Sequence, residues 1–198
     1  LLPPNTYFLK NNAVVVHLQA TDSGSGIAMM RIGFDPTFAN VTWQPYTNTI
    51  ALQISPNNGV KKIYGQYQDK IGNQSLVYSR TFYLDTLPPT GTLRINGDAL
   101  DTVATKVKLN LNVIESGSGI SSVSLSNDGL KYSLPFSITS TIEWDLSRGV
   151  GTKIVYAKLL DYAGNQATLS DTIQLASVDA QSTGVLINRD ALFANSRI

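Results

Sequence analysis

The chain has 198 residues, 42% of them hydrophobic and 15% charged, with a formal net charge of +1. That is enough apolar side chain for packed cores, and too little charge for a disordered polyelectrolyte or a field that gathers nucleic acid or an anionic membrane surface. The absence of Cys and the single His exclude a disulfide framework, a thiol nucleophile and a Cys/His zinc site, and no apolar run reaches the roughly 20 residues that span a bilayer.

In chain order the elements come twice. The first copy opens on Leu2-Pro3-Pro4, a pair of prolines that lacks ladder donors and favours a stiff, extended connector. Val14, Val16, Leu18 and Ala20 then alternate with Val15, His17, Gln19 and Thr21, which is the period of a half-buried strand. A turn, Asp22-Ser23-Gly24-Ser25-Gly26-Ile27, leads into strands predicted over 27–34, 49–54, 61–68 and 76–84. The last two are joined by the hairpin Asp69-Lys70-Ile71-Gly72-Asn73.

The second copy opens on Leu87-Pro88-Pro89. Val107, Leu109, Leu111 and Val113 alternate with Lys106, Lys108, Asn110 and Asn112, so the inward set is the same as in the first copy. Glu115-Ser116-Gly117-Ser118-Gly119-Ile120 repeats the first turn about 93 positions on. Strands are predicted over 120–126, 141–146, 153–160 and 168–175, with the hairpin Asp161-Tyr162-Ala163-Gly164-Asn165 in its matching place. Gly59-Val60-Lys61-Lys62-Ile63-Tyr64 likewise returns as Gly151-Thr152-Lys153-Ile154-Val155-Tyr156. Short strands, Gly/Asn/Asp/Ser turns and no sustained helical period predict an all-β chain of two tandem immunoglobulin-like β-sandwiches, 1–85 and 86–176, with a strand-like tail over 177–198.

The tail Thr183-Gly184-Val185-Leu186-Ile187-Asn188-Arg189-Asp190-Ala191-Leu192 matches Thr90-Gly91-Thr92-Leu93-Arg94-Ile95-Asn96-Gly97-Asp98-Ala99-Leu100 with one residue dropped. It has the pattern of the opening strand of a third copy. The first copy shows the converse: residues 5–12 alone separate Pro4 from the Ala13-Val14-Val15 strand, where the second copy has 90–105. The opening strand is therefore expected to be missing from the first sandwich.

The order of motifs resembles the tandem bacterial Ig-like repeats of large surface and secreted proteins. It is carried by Thr21-Asp22-Ser23-Gly24-Ser25-Gly26-Ile27, Trp43-Gln44-Pro45-Tyr46, Gly-x-Lys-x-x-Tyr, Asp-x-x-Gly-Asn and Leu84-Asp85-Thr86-Leu87-Pro88-Pro89. The resemblance covers nearly the whole chain. It implies an extracellular or cell-surface module whose partners are adjacent repeats or copies of itself, without a membrane span. The second copy departs from the pattern, with Glu115 for Asp22, Ser133 for Trp43 and no Asp-Thr-x-Pro-Pro exit.

Candidate sites are few. Extracellular Ig-like arrays place calcium near their joins, where hard oxygen ligands gather, and Asp22, Asp69, Asp85, Glu115, Asp161 and Asp179 are the carboxylates available. The Asp-x-x-Gly-Asn hairpins also have a purely structural reason, since Gly and Asn accept positive φ and the Asp accepts N–H bonds within the turn. Trp43 and Tyr46 offer ring faces for core packing or for stacking on a ligand in an adhesin or carbohydrate-binding module. Asn40-Val41-Thr42 and Asn73-Gln74-Ser75 are glycosylation sequons. The Ser-Gly turns run into strands rather than a helix, so they make no phosphate cradle; His17 lies on the polar face with no catalytic partner in sequence. An enzyme is not expected. The expected role is a stalk, spacer or filament subunit, and its sharper form is strand donation, with Val185 and Ile187, or Leu186 in the shifted register, filling the first sandwich of a neighbour.

Overall fold

Alternating apolar residues become strands wherever the period-two pattern is sustained. The computed structural model describes residues 7–177, which form β1 (Tyr7–Leu9), β2 (Ala13–His17), β3 (Ile27–Gly33), β4 (Gln44–Pro45), β5 (Thr49–Gln53), β6 (Gly59–Asp69) and β7 (Tyr78–Leu84). They continue with β8 (Thr90–Ile95), β9 (Asp101–Thr102), β10 (Lys106–Ile114), β11 (Ile120–Ser126), β12 (Thr141–Asp145), β13 (Gly151–Asp161) and β14 (Gln166–Leu175). No helix occurs among the described residues.

The strands form two sandwiches. In the first, the sheet β1-β7-β6-β3-β4 packs on the two-stranded sheet β2-β5; in the second, β11-β13-β14-β9 packs on β12-β10-β8. Every ladder draws its strands from one side of Asp85. The Ig-like fold class expected from the repeats is thus the observed one.

Equivalent positions keep equivalent registers. Val14 and Val16 lie opposite Leu52 and Ile50, as Val107 and Leu109 lie opposite Trp144 and Ile142. β1 pairs in parallel with the end of β7, and β9 does the same with β14. Four predicted strands differ at their starts: β6 and β13 begin two residues earlier, at Gly59 and Gly151, and β7 and β14 shift as well. Leu76 stays exposed and β7 begins at Tyr78, because Ser75 breaks the ladder by exchanging bonds with the Tyr67 backbone: its N–H donates to Tyr67 O, and its hydroxyl accepts from Tyr67 N–H. β14 instead pairs from Gln166 onward, straight out of the hairpin. The short β1, β4 and β9 fall below the length at which alternation is readable.

The two cores are unequal. In the second sandwich Leu93 and Ile95 of β8 cover β10, and Val107, Leu109 and Leu111 are buried. In the first, among the described residues, β2 pairs with β5 alone, and Val14, Val16 and Leu18 are only half-buried. Full burial of such a side chain is worth roughly 1.5–3 kcal/mol, so the first sandwich forgoes a large part of that gain along one strand.

Candidate functional site at the join between the sandwiches

β7 delivers Asp85 to the end of the first sandwich, where its N–H donates to Leu9 O at 2.8 Å. Its carboxylate is only 1% exposed. Oδ1 accepts from Asn58 Nδ2 at 3.3 Å and Leu87 N–H at 3.2 Å, and Oδ2 accepts from Ser118 N–H at 2.6 Å. Asn58 Oδ1 in turn accepts from the N–H and hydroxyl of Thr86. One side chain therefore binds the connector on one side and the Ser-Gly turn of the second sandwich on the other. Gly117 makes that approach possible, because a Cβ at this position would run into the Asp85 carboxylate.

The hairpin between β13 and β14 closes the join from the other face. Asp161 Oδ1 accepts from Asn165 N–H at 2.7 Å and Oδ2 from Asn165 Nδ2 at 2.8 Å, while Asn165 Nδ2 also donates to Asp85 O at 2.8 Å. Gly164, at φ 91, supplies the left-handed residue the turn requires. Phe8 of β1 stacks on Tyr162 with ring centroids 5.9 Å apart and planes at 26°, an apolar contact beside the polar one.

This geometry brings Asp85, Glu115 and Asp161 together, with one carboxylate oxygen of each within 4.8 Å of the others. Asp161 is 2% exposed and Glu115 half-buried. Among the described residues the ion pairs are Arg94–Asp98 and Lys106–Glu143, so none of the three carboxylates is in an ion pair. Carboxylates held this close repel one another where they are charged. Backbone donors offset part of this, Gly117 N–H to Glu115 Oε1 among them. A hard, oxygen-seeking cation such as calcium fits the donor set.

The remaining predicted site residues are dispersed. Asp22 and Asp69 occupy the matching turn and hairpin of the first sandwich, at its opposite pole. Asp22 Oδ2 accepts from Gly24 and Gly26 N–H, and Asp69 accepts from the N–H groups of Ile71 and Asn73 and from Asn73 Nδ2. Desolvation pushes the Asp69 carboxyl up, but the hydrogen bonds it accepts, those from Asn73 foremost, outweigh it and hold it below the usual carboxylate range. Asp179, Val185, Leu186 and Ile187 lie outside the described residues. Trp43 is half-buried with the Arg31 guanidinium 4.7 Å over its ring, and Arg31 also reaches Phe38 and Gln66 Oε1. The Tyr46 hydroxyl donates to Leu18 O and its ring meets Tyr67 edge-on. Both rings thus have partners within the chain. Asn40, at φ 76, is exposed on a turn, whereas the Asn73 amide is engaged by Asp69. His17 is exposed on β2. Phe8, Asn58 and the cross-join role of Asn165 carried no signal in sequence, because each is defined by a partner far along the chain.

The fold and the join define tandem Ig- or fibronectin-like β-sandwich modules. Among solved structures, the chain is similar to the fibronectin(III)-like modules of Clostridium thermocellum CbhA, with a TM-score of 0.53 at 12% identity over 87% of this chain and 88% of that one. It also matches a tetra-tandem repeat in the extending region of a large adhesion protein, at a TM-score of 0.37 and 19% identity, over 84% of this chain and 49% of that one. No protein-family model matches the chain, and no curated protein does. No helix among the described residues is long and apolar enough to cross a membrane.

Proposed function

We propose that the chain is an extracellular or cell-surface structural subunit, a stalk, spacer or filament unit that sets Ig-like sandwiches end to end, and that it extends head to tail by donating its C-terminal strand segment to a neighbouring copy. The observation that carries this reading is the join: Asp85 bonded to Ser118 and Asn165, with Phe8 stacked on Tyr162. Such contacts hold two modules in a fixed relation, whereas modules that merely share a linker need none of them. In this reading calcium, bound by Asp85, Glu115 and Asp161, stiffens the join further by replacing carboxylate repulsion with coordination.

The test is light scattering after size exclusion on the full chain, beside the same chain carrying Val185→Asp and Ile187→Asp. The reading expects polymers from the first and monomers from the second. A full chain that stays monomeric at all concentrations overturns head-to-tail assembly.

A further inference from the structure

The first sandwich carries a continuous groove where the second carries β8. Three adjoining clefts of about 750, 340 and 470 Å³ follow β2 and the segment after it. The first two share Val16, His17, Ile63 and Arg80, and the last two share Tyr67 and Tyr78. The floor is apolar, from Val14, Val16, Ile63 and Phe82. Along one wall runs an edge of backbone groups that no strand pairs among the described residues. Leu18 N–H donates to Asn48 O on the β5 side, as Leu111 N–H does to Ser140 O. By alternation the N–H and C=O of Val15, His17 and Gln19 face the groove. Their counterparts on β10 face β8, as the bond from Asn96 N–H to Lys108 O shows.

We infer that this groove is a strand-accepting site and that its occupant is the segment Gly184–Asn188 of a second copy, antiparallel to β2. The inference rests on the head-to-tail reading above and adds the acceptor and its register. In the second sandwich Ile95 lies opposite Leu109 and Leu93 opposite Leu111. From Val185 onward the tail matches residues 93–100 without a gap: Ile187, Asn188, Asp190, Ala191 and Leu192 repeat Ile95, Asn96, Asp98, Ala99 and Leu100. Transferred to β2, Ile187 faces Val16 and Val185 faces Leu18, both pointing into the groove. Leu186 then points outward, directly opposite His17. Asn188 takes the place of Asn96, whose positive φ and side-chain bond to Lys108 N–H end the pairing.

Reach decides between a second copy and the chain's own tail. β14 starts at the join and runs away from it, so Leu175 lies at the far pole of the second sandwich. A strand antiparallel to β2 enters the groove from the opposite pole of the first. Its ten residues give β14 alone a length of ~33 Å, while the chain from Ala176 to Gly184 extends at most ~29 Å. The tail cannot double back to its own groove. Donation to the next copy instead sets that copy's first sandwich after the second sandwich of the donor, and the contact propagates without closing.

Because the chain has no cysteine, introduced thiols report the register cleanly. Full-length chain carrying His17→Cys is mixed with full-length chain carrying Leu186→Cys, oxidised, and read as covalent dimer by non-reducing electrophoresis. A second mixture pairs His17→Cys with Val185→Cys, whose side chain points to the other face. Since a disulfide needs close, facing Cβ atoms, the first mixture should give at least about tenfold more mixed dimer than the second. Equal yields, or more from the second mixture, overturn the register. Polymers of the unmodified chain by light scattering without cross-linking in either mixture overturn the groove as acceptor and leave head-to-tail assembly standing. Monomers with no cross-linking overturn both.

Discussion

The side-chain amide of Asn165 donates to the backbone carbonyl of Asp85 at 2.8 Å, tying the last hairpin of the second sandwich to the exit of the first. The same Nδ2 also bonds Asp161, so one residue shapes its own turn and fastens the join. Its counterpart Asn73 makes the turn bond to Asp69. Asn165→Ala should therefore cost about 1–3 kcal/mol of second-sandwich stability and loosen the angle between the sandwiches. Asn73→Ala should destabilise the first sandwich and leave the angle unchanged. Denaturant melts with small-angle scattering separate the two, and a rigid Asn165→Ala chain would show that the aromatic contact suffices.

Gly117 and Gly24 stand at matching places in the two Ser-Gly turns, yet they predict opposite tolerance. A Cβ on Gly117 collides with the buried Asp85 carboxylate, whereas one on Gly24 meets Asp22 Oδ2 at an ordinary 3.6 Å. Gly117→Ala should displace Asp85, losing the Ser118 bond and at least about 1 kcal/mol. Gly24→Ala should stay within about 0.5 kcal/mol of the parent. Thermal unfolding of the two variants side by side decides this.

Calcium should act through the same cluster. Free calcium at about 100 times its Kd should stabilise the folded chain by ~2.7 kcal/mol, and chelation should remove that gain. Glu115→Gln keeps an acceptor for Gly117 N–H but removes one charge. The variant should be no less stable than the parent in chelator and should lose the calcium gain. A parent melt that ignores both calcium and chelator would rule out the site.

The repeat makes most of this fold legible in the sequence. β2 and β10 followed from alternation, and their shared register from the match of Val14, Val16 and Leu18 to Val107, Leu109 and Leu111. Val14, Val16 and Leu18 keep that register but are half-buried where their counterparts are buried. The composition of the join was not legible. Asp85, Glu115 and Asp161 were candidates only as members of a longer set, because nothing local distinguishes them from Asp22 and Asp69. What separates them is the approach of two sandwiches, allowed by a missing Cβ at Gly117 and held by Asn165. Trp43 was ambiguous for a similar reason: its partner Arg31 sits on another strand.

Acid should weaken both sandwiches through turn carboxylates. The Lys131 and Leu130 N–H bonds, with the Ser126 hydroxyl, hold the Asp128 carboxyl below its usual range, and Asp69 is lowered as well. A carboxyl whose pKa is lower folded than unfolded contributes stability above its unfolded value of about 3.9. That contribution disappears as pH falls through the folded value. Asp69→Asn should therefore be less stable than the parent at pH 7, with the gap closing below about pH 4. Urea midpoints from pH 7 to pH 2 measure it; a gap constant with pH would assign the loss to packing instead.

Val16 and Val107 have the same side chain and the same inward direction on the matching strands β2 and β10, and differ in how far they are covered. Val107 is 2% exposed in the core of the second sandwich, and Val16 is half-buried beside the groove. Val107→Ala should cost about 2 kcal/mol or more, from lost transfer energy plus the cavity left behind. Val16→Ala should cost about half as much in dilute chain, where part of the side chain already meets water. Under conditions that favour assembly the gap should narrow, because a strand laid on β2 buries Val16 as β8 buries its counterpart Leu109. The comparison is made by unfolding each variant at low and at high protein concentration. A Val16→Ala cost that does not change with concentration would mean that nothing from a second chain covers this strand.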